Sequence, residues 1–88
     1  ITLPGIPVIL GKKPKNLNHA YIVFGKKYRN YSNYYNLSKK GSLKEAASNL
    51  YKIMRKIKNF GYKKIFVSKI PQIGLGLAIN DRLKRASK

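Results

Sequence analysis

"NLSKKGSLKEAASNLYKIMRKIKNFG", running from Asn36 to Gly61, is the stretch that decides the fold of this chain. Ser42 and Glu45 form Ser-x-x-Glu, a capping box. In that motif the serine oxygen accepts a backbone N–H left free by the first helical turn, and the glutamate reaches back to the cap residue. Leu43, Ala46, Ala47, Leu50, Ile53, Met54 and Ile57 then recur at helical spacing as one apolar stripe. Lys44, Lys52, Arg55, Lys56 and Lys58 fall largely outside it. Asn59-Phe60-Gly61 closes the helix, because Gly61 can adopt the left-handed conformation that terminates one.

Upstream, "AYIVFG" (Ala20 to Gly25) is an unbroken apolar run with β-branched and aromatic residues, the pattern of a strand buried on both faces. Before it, "IPVIL" (Ile6 to Leu10) reads as a short strand, and Pro7 assigns it to an edge or a strand start. The intervening "GKKPKNLNH" is a polar connection, and "KKYRNYSNYYN" (Lys26 to Asn36) shows no clean period, so it reads as loop. Downstream, "KKIFVSKI" (Lys63 to Ile70) reads as a strand stopped by Pro71. A last helix starts near Leu75, with Leu75, Ala78, Ile79, Leu83 and Ala86 on one face. The expected order is β-β-α-β-α. Ala20 to Ile70 has the length of a strand–helix–strand crossover between parallel strands. The fold class is therefore α/β, a small layered, Rossmann-like domain with a mostly parallel or mixed sheet.

With 88 residues the chain makes one domain with a small core. Its 43% apolar content is that of a folded domain. No apolar run approaches the roughly 20 residues that span a bilayer, so no membrane contact is expected. "ITLPGIPVIL" lacks the basic start of a secretory signal, and its first residue is Ile, as in a piece of a longer chain. The absence of cysteine removes disulfides, thiolate metal sites and cysteine nucleophiles, and fits a reducing cytoplasm.

Net charge is +18, from 20 basic and two acidic residues. Such a surface suits RNA or DNA, whose phosphates supply the missing charge. Compositional drift gives the same excess: Lys, Asn, Ile and Tyr all have AT-rich codons, and the lysines are spread along the chain. Tyrosines in "YRNYSNYY" offer rings for stacking on unpaired bases, or simply reflect that drift.

Enzyme chemistry is short of parts. Glu45 serves as a cap, Asp81 stands alone, and His19 sits in "NLNHAY" with no nucleophile elbow in the chain. One histidine and two separated acids build no cage for zinc, magnesium or calcium. No catalytic or metal-binding residue is assigned. Gly74-Leu75-Gly76 before a helix could admit a phosphate, but without a third glycine it reads as a tight turn that brings the helix close to the sheet. Asp81 lies four residues before Arg85, and an exposed pair at that spacing contributes only about 0.2–0.5 kcal/mol. A partly buried role is expected instead, with the carboxylate holding Arg82, Arg85 or backbone groups of the turn at Gly74.

These residues carry a resemblance. Asn36-Leu37-Ser38, Gly41-Ser42-Leu43, Glu45-Ala46-Ala47, Asn49-Leu50, Ile70-Pro71, Gly74-Leu75-Gly76 and the run Ala78 to Leu83 ("AINDRL") resemble the C-terminal domain of the two-domain L-threonylcarbamoyladenylate synthases. The resemblance spans roughly residues 18 to 87, and the closing motif is its most specific part. The family tends to have Asp where Ser42 stands, and both are favoured cap residues. What the resemblance implies is a place in tRNA threonylcarbamoyladenosine synthesis, where L-threonine, bicarbonate and ATP are joined into threonylcarbamoyl-adenylate. It further implies a separate or fused YrdC-like catalytic domain as partner, with ATP belonging to that domain and no cofactor in this chain. The linker's His-Tyr-x-Pro signature is missing, and "LPGI" at Leu3 to Ile6 only faintly echoes its neighbourhood. Ser42, Glu45, Gly74, Gly76, Asn80, Asp81, Arg82 and Arg85 are accordingly expected to act as structural or interdomain residues of a cytoplasmic accessory domain, inert alone. The alternative is a small basic RNA-binding module, with tRNA reached through the basic surface.

Overall fold

The computed structural model describes residues 6–86. Along them run β1 (Val8–Leu10), β2 (His19–Val23), β3 (Tyr34–Asn36), α1 (Leu43–Phe60), β4 (Lys64–Val67) and α2 (Leu75–Ala86). The four strands form one sheet in the order β1-β4-β2-β3, and every neighbouring pair is parallel. Of the two sheet types expected, mostly parallel or mixed, the strands adopt the parallel one. β1, the strand with Pro7 before it, takes an edge as expected. The Leu3–Ile6 echo falls almost wholly outside the described residues.

The tyrosine-rich stretch needs correcting. Lys26 to Asn36 is not all loop, because its last three residues form β3, which pairs with β2 through Tyr21–Tyr34 and Val23–Asn36. Three residues are too few to show a period of two, and only pairing with the buried β2 makes them a strand.

Strand alternation sorts the side chains into two layers. Ala20 and Ile22 of β2, Ile65 and Val67 of β4, and Tyr35 of β3 join a single core with residues of both helices. From α1 come Ala46, Leu50, Ile53, Met54 and Ile57, the predicted stripe; from α2 come Ile79, Leu83 and Ala86. Both helices therefore cover the same face of the sheet. The opposite face carries Tyr21 and Val23, still buried, with Tyr34 and Phe66 partly so. Over it lie connections in place of helices: residues 11–18 lead from β1 to β2, and 24–33 from β2 to β3.

The inward face of α2 also departs from expectation. Gly76, Ile79, Leu83 and Ala86 are buried, at steps of three, four and three, while Leu75 is 47% exposed and Ala78 is exposed. A glycine carries no hydropathy signal, so the sequence pattern shifted the face towards its larger neighbours.

Candidate functional site

Ser42, Glu45, Gly74 and Gly76 fall at the starts of the two helices, which the fold brings together, while Asn80, Asp81, Arg82 and Arg85 lie further along α2. At α1, Ser42 has the extended backbone of a cap, and its Oγ accepts from the Glu45 N–H at 3.2 Å. The reciprocal arm of the capping box is absent. The Ser42 N–H donates instead to Ser38 Oγ at 3.0 Å, and the Glu45 carboxylate turns to Lys40 Nζ at 3.7 Å. A nearby hydroxyl, buried on Ser38, took the place of the glutamate. Glu45 still lies in the first turn, where the helix dipole favours an acid.

Polar residues before α1 have roles that sequence reasoning left unassigned. Asn36 Nδ2 donates to the Gly25 carbonyl at 2.9 Å, while Asn36 Oδ1 accepts from the Ser38 N–H at 2.9 Å. Asn49, one turn into α1, donates to the Leu37 carbonyl at 2.9 Å. Together they tie the end of β3 to the loop after β2 and to the helix, satisfying backbone groups that no ladder reaches. Asparagines at a strand end and on the flank of the next helix were the available signal.

At α2 the chain turns through Gly74, whose φ of +49° lies in the left-handed region. Gly76 follows inside the helix. A Cβ placed there would overlap the Pro71 carbonyl oxygen, and Leu43 Cδ2 of α1 lies 3.5 Å from the same point. Gly76 is thus the place where the exit from β4 and both helices meet without side-chain volume between them. The Gly76 and Leu77 N–H groups donate to the carbonyls of Ile73 and Gly74, at 2.8 and 3.1 Å. Two amides that an incoming phosphate would need are already engaged, which favours the tight-turn reading of Gly74-Leu75-Gly76.

Asn80 closes this junction. Its Nδ2 donates to the Ile70 carbonyl at 3.1 Å and to the Gly76 carbonyl at 2.9 Å. The inward role expected of Asp81 belongs to its neighbour. Both groups waiting at the junction are carbonyl acceptors, which an amide can satisfy and a carboxylate cannot. Asp81 points outward, its Oδ2 3.2 Å from Arg85 Nε, with the two side chains 57% and 72% exposed. Arg82, the remaining site residue, is half-buried on α2.

Beside the junction runs a groove of about 320 Å³ lined by Leu10, Ser68, Ile70, Gln72 and Asn80. It adjoins a second, of about 280 Å³, that shares Leu10, Gln72 and Asn80 and adds Leu77, Asp81 and Lys84. Leu10, Ile73, Leu75 and Leu77 are 42%, 67%, 47% and 55% exposed. Leu10 and Leu77 share the second groove, and exposed aliphatic side chains of this size in one short segment have the composition of a contact surface. Among the described residues no group of three or more His, Asp or Glu is placed to hold a metal. His19 lies against Phe66, with ring centroids 5.4 Å apart.

On the open face of the sheet, Tyr21 packs edge-on against Tyr28 and Tyr34 at 5.8 and 5.0 Å. Burial, reinforced by Tyr28 and Tyr34, pushes the Tyr21 phenol up to about 12, so it stays neutral. Beneath the helices the Tyr35 and Tyr62 hydroxyls hydrogen-bond at 2.9 Å. Burial, aided by that bond, likewise holds Tyr62 far above the usual tyrosine range.

No curated protein and no solved structure matches this chain. A family model described as the C-terminal domain of threonylcarbamoyl-AMP synthase matches residues 4–88. That match takes in the glycine turn, the asparagine clasp and both helix starts, and by it the chain belongs to the family of threonylcarbamoyl-AMP synthase C-terminal domains.

Proposed function

We propose that this chain is the accessory domain of a threonylcarbamoyl-AMP synthase, without catalysis of its own, acting in the cytoplasm in the synthesis of tRNA threonylcarbamoyladenosine. Its partner is a YrdC-like domain, fused or separate, which joins L-threonine, bicarbonate and ATP with release of pyrophosphate. The observation that carries this reading is the exposure of large aliphatic side chains in and next to the β4–α2 turn: Leu10 and Leu77 line one groove, and Ile73 and Leu75 are exposed in the turn and at the helix start. Leu75 and Leu77 lie in the segment that holds the Gly-Leu-Gly and Ala-Ile-Asn-Asp-Arg-Leu residues of the resemblance, Gly74 to Leu83. The turn through Gly74, Gly76 and Asn80 sets where Ile73, Leu75 and Leu77 emerge, and Arg82 adds a cation on the same helix.

No helix of the described residues is long and apolar enough to cross a membrane. The two acids sit on different helices, Glu45 half-buried and Asp81 exposed, each paired with a cation. That supports binding over chemistry. The basic surface further fits contact with the tRNA substrate of the pathway, since not one acid precedes Glu45 in the sequence.

The test is a titration of the 88-residue chain into a separately expressed YrdC-like domain, followed by assay of adenylate formation. Binding is expected, with loss on replacing Ile73 and Leu77 by Asp, and the chain alone is expected to form no product. Product from the chain alone, or no association before and after the substitutions, ends the reading.

A further inference from the structure

The tyrosines left unassigned by the interdomain reading converge with basic residues on the open face of the sheet. A cleft of about 270 Å³ is lined there by Tyr21, Tyr28, Tyr31 and Tyr34 together with Lys13, Lys27 and Arg29. Its floor is the sheet itself, because Tyr21 and Tyr34 are register partners on β2 and β3. Its walls are the two connections that cross this face. An adjoining groove of about 280 Å³ shares Lys13, Tyr31 and Tyr34 and continues along Lys15 and Leu17.

Three features give the cleft a chemistry. Tyr31 is 49% exposed while its ring stands edge-on to Tyr34 at 5.0 Å, so it is braced on one side and open to a ligand on the other. Lys27 Nζ lies 5.4 Å from the centre of the Tyr28 ring, a cation placed beside an aromatic wall. Among the described residues no carboxylate lines either groove. Glu45 and Asp81 are both on the helices, which cover the opposite face of the sheet. Rings with neighbouring cations and no competing anion match a nucleotide, whose base has a π-face and whose phosphate is negative. Two continuous grooves sharing a lysine and two rings suit a strand better than one detached nucleotide.

We infer that this tyrosine-lined cleft binds an unpaired segment of RNA, stacking one base on Tyr31 and holding the flanking phosphates with Lys13, Lys27 and Arg29. The inference deepens the tRNA contact proposed above and rests on it. It uses none of the residues that line the grooves at the β4–α2 junction.

The experiment is fluorescence-anisotropy titration of the 88-residue chain with a labelled single-stranded oligouridylate at several salt concentrations. Net charge alone would attract any nucleic acid, so the decisive comparison is between variants of equal charge. One variant replaces Lys13, Lys27 and Arg29 by Ala; the control replaces Lys52, Lys56 and Lys58, exposed on α1. The cleft variant is expected to weaken binding far more than the control, and to flatten the log–log salt slope by about 0.7 per cation removed. Tyr31→Ala is expected to lower affinity roughly 5- to 150-fold, the range of one lost base stack, and Tyr31→Trp to retain it. Unchanged thermal melts monitor folding, and Tyr31, being half exposed, can be replaced without opening the core. Equal weakening by the two triple variants, an unaffected Tyr31→Ala, or a duplex bound as tightly as the single strand overturns the inference. So does competition by AMP as strong as that of the oligonucleotide. None of these outcomes touches association with the catalytic domain, which is measured without RNA.

Discussion

The two helices of this domain start in opposite ways. α1 is capped from within its own sequence: Ser42 supplies an oxygen to the Glu45 amide, Ser38 supplies another to Ser42, and an acid sits in the first turn. α2 has no acid in its first turn and enters through a left-handed glycine, with amides bonded to turn carbonyls. What fixes α2 is tertiary: Gly76 against the Pro71 carbonyl and Asn80 reaching back to Ile70. A helix start built from local side chains is weakened in small steps, since one cap contributes about 1 kcal/mol. A start built on backbone contact gives way abruptly when volume is added.

Gly76→Ala is the most severe way to test this difference. At an ordinary helical position the change would stabilise, because Ala exceeds Gly in helix propensity by about 1 kcal/mol. At this one the added methyl overlaps a backbone oxygen that has no rotamer to escape into. A net loss of roughly 3 kcal/mol is expected in urea titration, a large share of what a domain this size commands. A gain in stability would show that α2 sits further from Pro71. Next comes Asn80. Removing its amide in Asn80→Ala leaves the Ile70 and Gly76 carbonyls without that donor, at a cost of about 1–3 kcal/mol. Asn80→Asp, nearly the same shape, should cost more at neutral pH than Asn80→Ala, and should recover towards it as acid protonates the new carboxyl. If Asp matched Asn, donation to two carbonyls would not be the basis of the clasp.

What the sequence made legible follows the same division. The α1 stripe, its Ser42 cap and its Gly61 terminus, with φ of 91°, depend on residues within one or two turns of each other. So does β2, whose apolar run marks a central strand. β3 was invisible because three tyrosine- and asparagine-rich residues become a strand only through register with β2. The inward face of α2 was misplaced because its key residue is a glycine. In "AINDRL" the charged residue drew the assignment, yet the acceptors that needed a partner were backbone carbonyls, which sequence does not display. The reversal between Asn80 and Asp81 is that limitation in one pair of neighbours. The tyrosine cleft was foreshadowed by composition alone, and its floor required the β2–β3 pairing.

Two weaker substitutions sharpen the contrast from the other side. Ser42→Ala deletes the oxygen that holds the Glu45 amide and should cost about 1 kcal/mol. Ser42→Asp, which keeps a favoured cap residue and adds an acid at the helix start, should match or exceed the parent. A Ser42→Ala loss as large as that of Gly76→Ala would mean that α1 also depends on tertiary contact at its start.

Asp81→Ala has the smallest expected effect. The Asp81–Arg85 pair has a short 3.2 Å separation, but both side chains are more than half exposed, and water screens what the distance suggests. Removing an acid also raises a net charge of +18 further, which opposes the compact state through repulsion. Both terms are small and both are weakened by salt. A loss below about 0.5 kcal/mol at low salt, vanishing at high salt, is therefore expected. Asp81→Asn separates the two terms poorly, since it removes the charge as well. Arg85→Ala separates them cleanly, because it breaks the same pair while lowering the net charge. If Asp81→Ala destabilises and Arg85→Ala does not, general repulsion accounts for the effect; if both destabilise alike, the pair itself does. A loss above about 1 kcal/mol that survives high salt would place the carboxylate in a buried role after all, and Asn80 and Asp81 would exchange parts at the junction.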